Sequence, residues 1–198
     1  MERKIDRRTL YTINVIKDAF LELINETSYS DMTVTSLCKR AELTRSTFYL
    51  HYNNLTDVLD DILKDIFAFD RESDTVISDE DALSIDMLKS NESLLPACQR
   101  VGDSAKYQQL LLDPTLSEYI VGKIIKNERP RVLPSIMRQT GLSTADADVL
   151  FNYVIHGSFA INKRHKFVKD NEWYRELQLL NQFSLAGYKA IKKSTDRS

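Results

Sequence analysis

Residues 44–52 read Thr-Arg-Ser-Thr-Phe-Tyr-Leu-His-Tyr, a run crowded with hydrogen-bond donors. An arginine carries a planar fork of N–H groups that matches O6 and N7 of guanine, so Arg45 is the candidate reader of a base edge. Hydroxyl groups suit base edges or phosphate oxygens, which places Thr44, Ser46 and Thr47 beside it. Phe48 is expected to point inward and fix the segment to a core. Tyr49, His51 and Tyr52 then form a polar-aromatic collar able to donate to phosphates. Aromatic side chains left on a surface without packing duty usually meet a partner. The plainer alternative is a helical bundle whose outer face holds Thr, Arg and Ser with nothing to bind.

Other chemistry is missing from the pattern. The sequence has no glycine-rich phosphate loop, no Gly-x-Ser-x-Gly elbow and no His-Glu-x-x-His. His51, His156 and His165 are scattered, and Cys38 and Cys98 stand apart with no Cys-x-x-Cys. Two reduced, buried thiols are expected rather than a disulfide or zinc site. No cofactor or metal is expected, and the chain is not expected to be an enzyme. No apolar stretch approaches the ~18 residues of a membrane span. Residues 1–8 have no apolar region behind them, so a cytoplasmic protein without membrane contact is expected. The reading of another class is a helical enzyme with an unfamiliar site, or an interaction module without DNA binding.

The net charge of −2 hides a segregation. Residues 1–55 carry eight basic and seven acidic side chains, residues 56–105 four and thirteen, and residues 106–198 fifteen and nine. An acidic middle repels DNA, so such contact has to lie in the first segment. Arg3, Lys4, Arg7, Arg8, Lys39, Arg40 and Arg45 gather there.

The elements that position these residues are helices. Only 5 Gly and 4 Pro occur among 198 residues, which argues against turn-rich β folds and favours an all-α fold of about nine to ten helices. Leu10, Ile13, Ile16, Phe20, Leu23 and Ile24 recur at three and four, predicting an amphipathic helix over about 7–26. Thr33 and Thr44 are N-caps for two short helices, and Asn54 with Asp57 resembles a capping box for the next. Further helices are expected at about 82–90, 93–101 and 104–112. Asp113-Pro114 reads as the start of another, running towards Arg129, with Pro130 and Pro134 kinking or ending it and Gly141 closing the region. Ser143 with Asp146, and Asp170, are expected to cap the last two. Residues 193–198 are expected to be a disordered tail.

Two short helices across a tight turn, behind a longer one, form a helix-turn-helix layout. The run from Met32 to Tyr52, Met-Thr-Val-Thr-Ser-Leu-Cys-Lys-Arg-Ala-Glu-Leu-Thr-Arg-Ser-Thr-Phe-Tyr-Leu-His-Tyr, resembles the TetR family of bacterial transcriptional regulators over roughly residues 7–68. That resemblance implies a helical homodimer that binds double-stranded operator DNA and senses a signal with its C-terminal domain. Thr33, Thr35 and Asn54 join the DNA-contacting set. The implied division is a DNA-binding domain at 1–55, a connecting helix at 56–72, and a ligand-sensing and dimerisation domain at 73–192. A repressor released by an unknown small-molecule effector is expected. An activator, or a regulator answering to a protein partner, is the alternative. Two positions depart from the family pattern: the turn glycine is Glu42, and the lysine that opens the fourth helix is Leu55.

The C-terminal half is less explicit. Trp173, Leu177, Leu180, Ser184, Gly187 and Ile191 form a bundle-type seam. The resemblance implies that the last two long helices pair with the same two of a second copy, so Gly157, Phe159, Leu177, Leu180, Ser184 and Gly187 are the expected dimer interface; the alternative is that these stripes serve only the core of one chain. Tyr107, Tyr119, Phe151, Tyr153 and His156 are the candidate effector contacts. Aromatics at helical spacing also serve as plain core, and His156 alone reads first as a core histidine. The basic run from Lys163 to Lys166, with Lys169, is either a docking face or a solvated helix end.

Overall fold

Apolar side chains spaced by three and four give α1 (Arg7–Ile24) one wet and one dry face, and Ile16 and Phe20 are completely buried on the dry one. The computed structural model describes residues 7–70, 84–102 and 104–196. Arg3, Lys4, the acidic stretch 71–83 and the last two residues lie outside them. Within these limits the chain is all helical, with ten α-helices and no strand among the described residues. It divides into two compact units.

The first unit takes the residues up to Phe69 together with Gln109–Ser117. After α1 come α2 (Val34–Arg40), α3 (Arg45–Tyr49) and α4 (Leu55–Asp70). α1 packs on α2, and α2 on α3. Leu37, Phe48, Val58, Leu59, Ile62 and Leu63 are buried at 0–2% exposure. A five-residue helix is far too short to persist alone, so α3 exists because Phe48 is anchored in this core. Lys17 of α1 reaches α4, its Nζ 2.7 Å from Asp61 and 2.7 Å from Asp65.

The segment 109–117 returns to the first unit from far along the chain. Asp113 does not start a helix, as its sequence context suggested. Its carboxylate accepts from the N–H of Tyr29 at 2.8 Å and the hydroxyl of Ser28 at 3.3 Å, and from the N–H and hydroxyl of Thr115. With its oxygens committed to that loop, Asp113 closes a turn instead, and the next helix begins at Ser117.

The second unit holds α5 (Ile85–Ser90), α6 (Ala97–Gly102), the start of α7 (Ala105–Leu112), and three long helices. These are α8 (Ser117–Thr140), α9 (Thr144–Arg164) and α10 (Asn171–Thr195). α8 runs straight through Pro130 and Pro134. Each proline removes an N–H, freeing the carbonyl four residues back. Lys126, Pro130 and Pro134 are all exposed, so the freed carbonyls of Lys126 and Pro130 face water rather than core. Gly141 closes α8 as expected, at φ 73°. α10 continues to Thr195, past the expected onset of a tail, aided by Thr195 Oγ1 donating to the Ile191 carbonyl and by a Lys192–Asp196 ion pair. Ser143 and Asp170 cap α9 and α10 as read from the sequence.

Between α9 and α10, Lys166 (φ 51°) and Phe167 (φ 60°) are both left-handed. Such residues cost about 1–2 kcal/mol each. Phe167 is buried against Gly102, where a Cβ would fall 2.2 Å from its ring, and edge-on to Phe159. The side-chain amides of Gln99 and Gln108 donate to the carbonyls of Phe167 and Lys166 at 2.8 and 2.6 Å. In the adjoining core the buried Trp173 indole donates to Asn162 Oδ1 at 2.7 Å. The two cysteines are free and buried, as expected.

Asp113 supplies a testable consequence. Burial pushes its pKa up, but the bonds from Thr115, Tyr29 and Ser28 outweigh that and hold it below the usual carboxylate value. Its folded pKa is thus below the unfolded ~3.9, so its stabilisation is present above that pH and lost as pH falls through the folded value. Asp113→Asn is expected to lower unfolding stability at pH 7 by about 1–3 kcal/mol. In urea titrations the gap between variant and wild type should narrow towards pH 3.

Candidate nucleic-acid interface

Local capping builds this site. Thr33 opens α2 with a reciprocal pair: Ser36 N–H donates to Thr33 Oγ1, and Thr33 N–H to Ser36 Oγ, both at 3.0 Å. Thr44 opens α3 by accepting from Thr47 N–H at 3.1 Å. Between them the chain turns at Glu42, whose φ is 53°. Leu43 N–H then reaches the Cys38 carbonyl at 2.9 Å and locks the turn. Burial pushes the Cys38 thiol up, keeping it protonated behind the turn.

On α3, Thr44, Arg45, Ser46 and Tyr49 are exposed, Thr47 is half-buried, and Phe48 is buried. Arg45 lies along Tyr49, its guanidinium carbon 5.9 Å from the ring centroid and one N–H directed at the hydroxyl at 3.5 Å. Phe48 meets Tyr49 edge-on at 5.3 Å and so orients that ring from below. The buried anchor fixes the tyrosine, and the tyrosine steadies the arginine. Thr33 and Thr35 are exposed on α2, and Lys39 is exposed near its end. Arg40 instead pairs with Glu22 of α1 and with Glu26 just beyond that helix.

Tyr52 corrects the expected collar. It is 7% exposed, and its hydroxyl donates to Asp61 at 2.8 Å, so its proton is committed inside the unit. Burial, then the bond to Asp61, raises its pKa far above that of a free phenol. His51 is half-buried. Asn54 is exposed and caps α4, its Oδ1 accepting from Asp57 N–H at 3.0 Å. The reciprocal bond comes from Asn53, whose N–H and side-chain amide both reach Asp57 Oδ2. Those donors hold Asp57 below the usual carboxylate range. Leu50, which the sequence reading passed over, is the most exposed large apolar side chain among the described residues at 80%.

The residues expected to contact an effector differ in burial. Phe151 is fully buried in a core cluster with Leu133, Ile136 and Ala147. Tyr153 and His156 are exposed, so His156 is not a core histidine. Half-buried Tyr107 and Tyr119 lie under the ammonium groups of Lys106 and Lys123.

The expected dimer seam also sorts differently. Phe159 and Leu177 are buried in the chain's own core, and a Cβ on Gly157 would fall 3.3 Å from Leu180 Cδ1. Leu180, Ser184 and Gly187 are half-buried. A second stripe is exposed: Val149 (67%) and Tyr153 (54%) on α9, Leu179 (66%) and Phe183 (62%) on α10. The rings of Tyr153 and Phe183 lie 6.1 Å apart and join the two helices' stripes. Within the basic run, Arg164 and His165 Nε2 both meet Glu176, and Lys169 meets Glu92.

With this geometry in place, comparisons with known proteins bear on it. No family model matches the chain. Over 64 residues it is 31% identical to an uncharacterised HTH-type transcriptional regulator, YxbF, of Bacillus subtilis strain 168. The matching stretch is 32% of this chain and only 17% of YxbF. Among solved structures it resembles the dihydroxyacetone kinase operon activator DhaS, with a TM-score of 0.55 and 18% identity, covering 91% of this chain and 98% of that one. At that identity the likeness is one of fold.

The turn yields its own prediction. A non-glycine residue at positive φ stores strain, so Glu42→Gly is expected to raise unfolding stability by about 1 kcal/mol. The readout is a higher urea midpoint at unchanged slope. Glu42→Ala, which keeps a Cβ, should gain none of this.

Proposed function

We propose that the chain is a TetR-like, dimeric, sequence-specific DNA-binding transcriptional regulator. The observation that carries this reading is α3 itself. Five residues long, it is capped by Thr44 and anchored by buried Phe48, and it turns Arg45, Ser46 and Tyr49 outward. The local similarity to an HTH-type regulator and the shared fold with an operon activator support it. Arg45 reads a guanine, while Thr33, Thr35, Thr44, Ser46, Thr47, Tyr49, His51 and Asn54 supply base and phosphate contacts.

The second copy docks on the exposed stripe of α9 and α10. Four large apolar side chains on adjacent helices form a patch of the kind that marks an interaction site. A twofold axis would set the same patch against itself. Pairing would hold two α3 helices about one DNA turn (~34–36 Å) or a multiple apart.

Regulation is read as release from DNA by an effector acting on the C-terminal residues. α4 offers a lever, because Asp61 holds both Lys17 of α1 and Tyr52 beyond α3. Any shift of α4 therefore moves the frame of α3, and an effector works by its differential affinity for the two positions. The activator alternative has one specific support, the activator named in the fold relative.

Selection from random duplexes followed by binding titration tests the reading. Arg45→Ala is expected to cost about 1–3 kcal/mol on the selected site and to relax preference at one base pair. His51→Ala should weaken all sequences alike. Equal losses for Arg45→Ala on selected and random DNA would remove the guanine assignment. In sedimentation, Phe183→Glu should convert a dimer to monomers with helix content unchanged. Its affinity for a two-half-site operator should fall by more than about tenfold as the linked second contact is lost.

A further inference from the structure

Leu50 has the exposure of a charged residue and the chemistry of a core one. It is the C-cap of α3, with φ −72° and ψ −21°, so its backbone keeps helical angles without strain. The backbone around it is fixed: His51 and Tyr52 both donate to the Phe48 carbonyl, at 2.9 and 3.0 Å. Four residues from Ser46, it lies on the same helix face one turn further on. The Arg45–Tyr49 pair forms the neighbouring ridge. The outward surface of α3 thus carries two rows, one ending in an aromatic hydroxyl and the other in a bare isobutyl group.

A leucine can neither donate to a phosphate nor accept from a base, so a polar contact does not account for it. The subunit does not use it for packing either, because Phe48 and Tyr52 already fill the inward side. In the major groove one base presents an apolar group, the C5 methyl of thymine. We propose that Leu50 is a specificity-determining residue that packs on a thymine methyl in each operator half-site. This rests on the DNA-binding reading above and deepens it, since it adds a thymine to the guanine read by Arg45.

Thymine and deoxyuridine differ by that methyl alone, which permits an atomic test. Duplexes are first selected with the wild-type protein, and each thymine of one half-site is then replaced by deoxyuridine. One position should weaken wild-type binding about fourfold, the value of one buried methyl group. In Leu50→Ala, whose folding is checked by its helix content and thermal transition, the same replacement should change affinity less than about twofold, since the methyl contact is already gone. If Leu50→Ala shows the wild-type losses at every position, or if no position responds in either protein, the thymine assignment is overturned while DNA binding stands. If no duplex is selected at all, both readings fall.

Discussion

The ammonium of Lys17 lies 2.7 Å from Asp61 and 2.7 Å from Asp65, and Asp61 also accepts the hydroxyl proton of Tyr52. Burial works against the lysine's charge, yet the two carboxylates outweigh it and raise its pKa. The same bonds, from Lys17 and then Tyr52, lower that of Asp61 against its own burial. One cation thereby joins α1, the end of α3 and α4. Apolar packing sets how much surface these helices bury but tolerates sliding. Hydrogen-bonded charge does not, because displacing the carboxylates leaves Lys17 an uncompensated charge in a poorly hydrated place. The orientation of α3, and with it of Arg45 and Leu50, is inherited from this junction.

Among the described residues, strain is concentrated at two places, both of them connections. Glu42 is left-handed in the turn before α3, and Lys166 with Phe167 between α9 and α10. In each case neighbouring groups over-determine the conformation. Leu43 N–H closes the first onto Cys38, and two glutamine amides with a buried phenylalanine hold the second. The second connection sets the register of α9 against α10. That register decides which side chains those helices keep inside and which they leave outside.

Features that depend on neighbours within a few residues were legible in the sequence. Thr33, Thr44, Ser143 and Asp170 announce helix starts because their hydroxyl or carboxylate reaches an N–H three residues ahead. Phe48 was readable as an anchor from its place amid polar residues. Tyr52 was not, since its partner Asp61 comes from another helix and no local pattern distinguishes it from Tyr49. Pro130 and Pro134 looked like breaks, but their spacing of four puts both on one solvent-facing side of α8. Leu179 and Leu180 are adjacent and equally apolar. Periodicity alone cannot say which belongs to the core, and here Leu180 faces Gly157 while Leu179 is exposed. His156 was misread for the same reason.

The turn at Asp113 makes the first unit discontinuous in sequence. Its carboxylate closes over a loop 84 residues earlier, on the N–H of Tyr29. A gene fusion that cut the chain after α4 and grafted the preceding residues onto a foreign domain would carry α3 but leave behind the acceptor that loop requires. Exchange of such a unit by joining fragments end to end therefore forfeits these bonds. The donor and recipient must share a compatible turn far downstream. Within that one unit, substitutions at residues 28–29 and 113–115 are bound to come in pairs, and those positions should covary among relatives more tightly than either does with its neighbours in the chain.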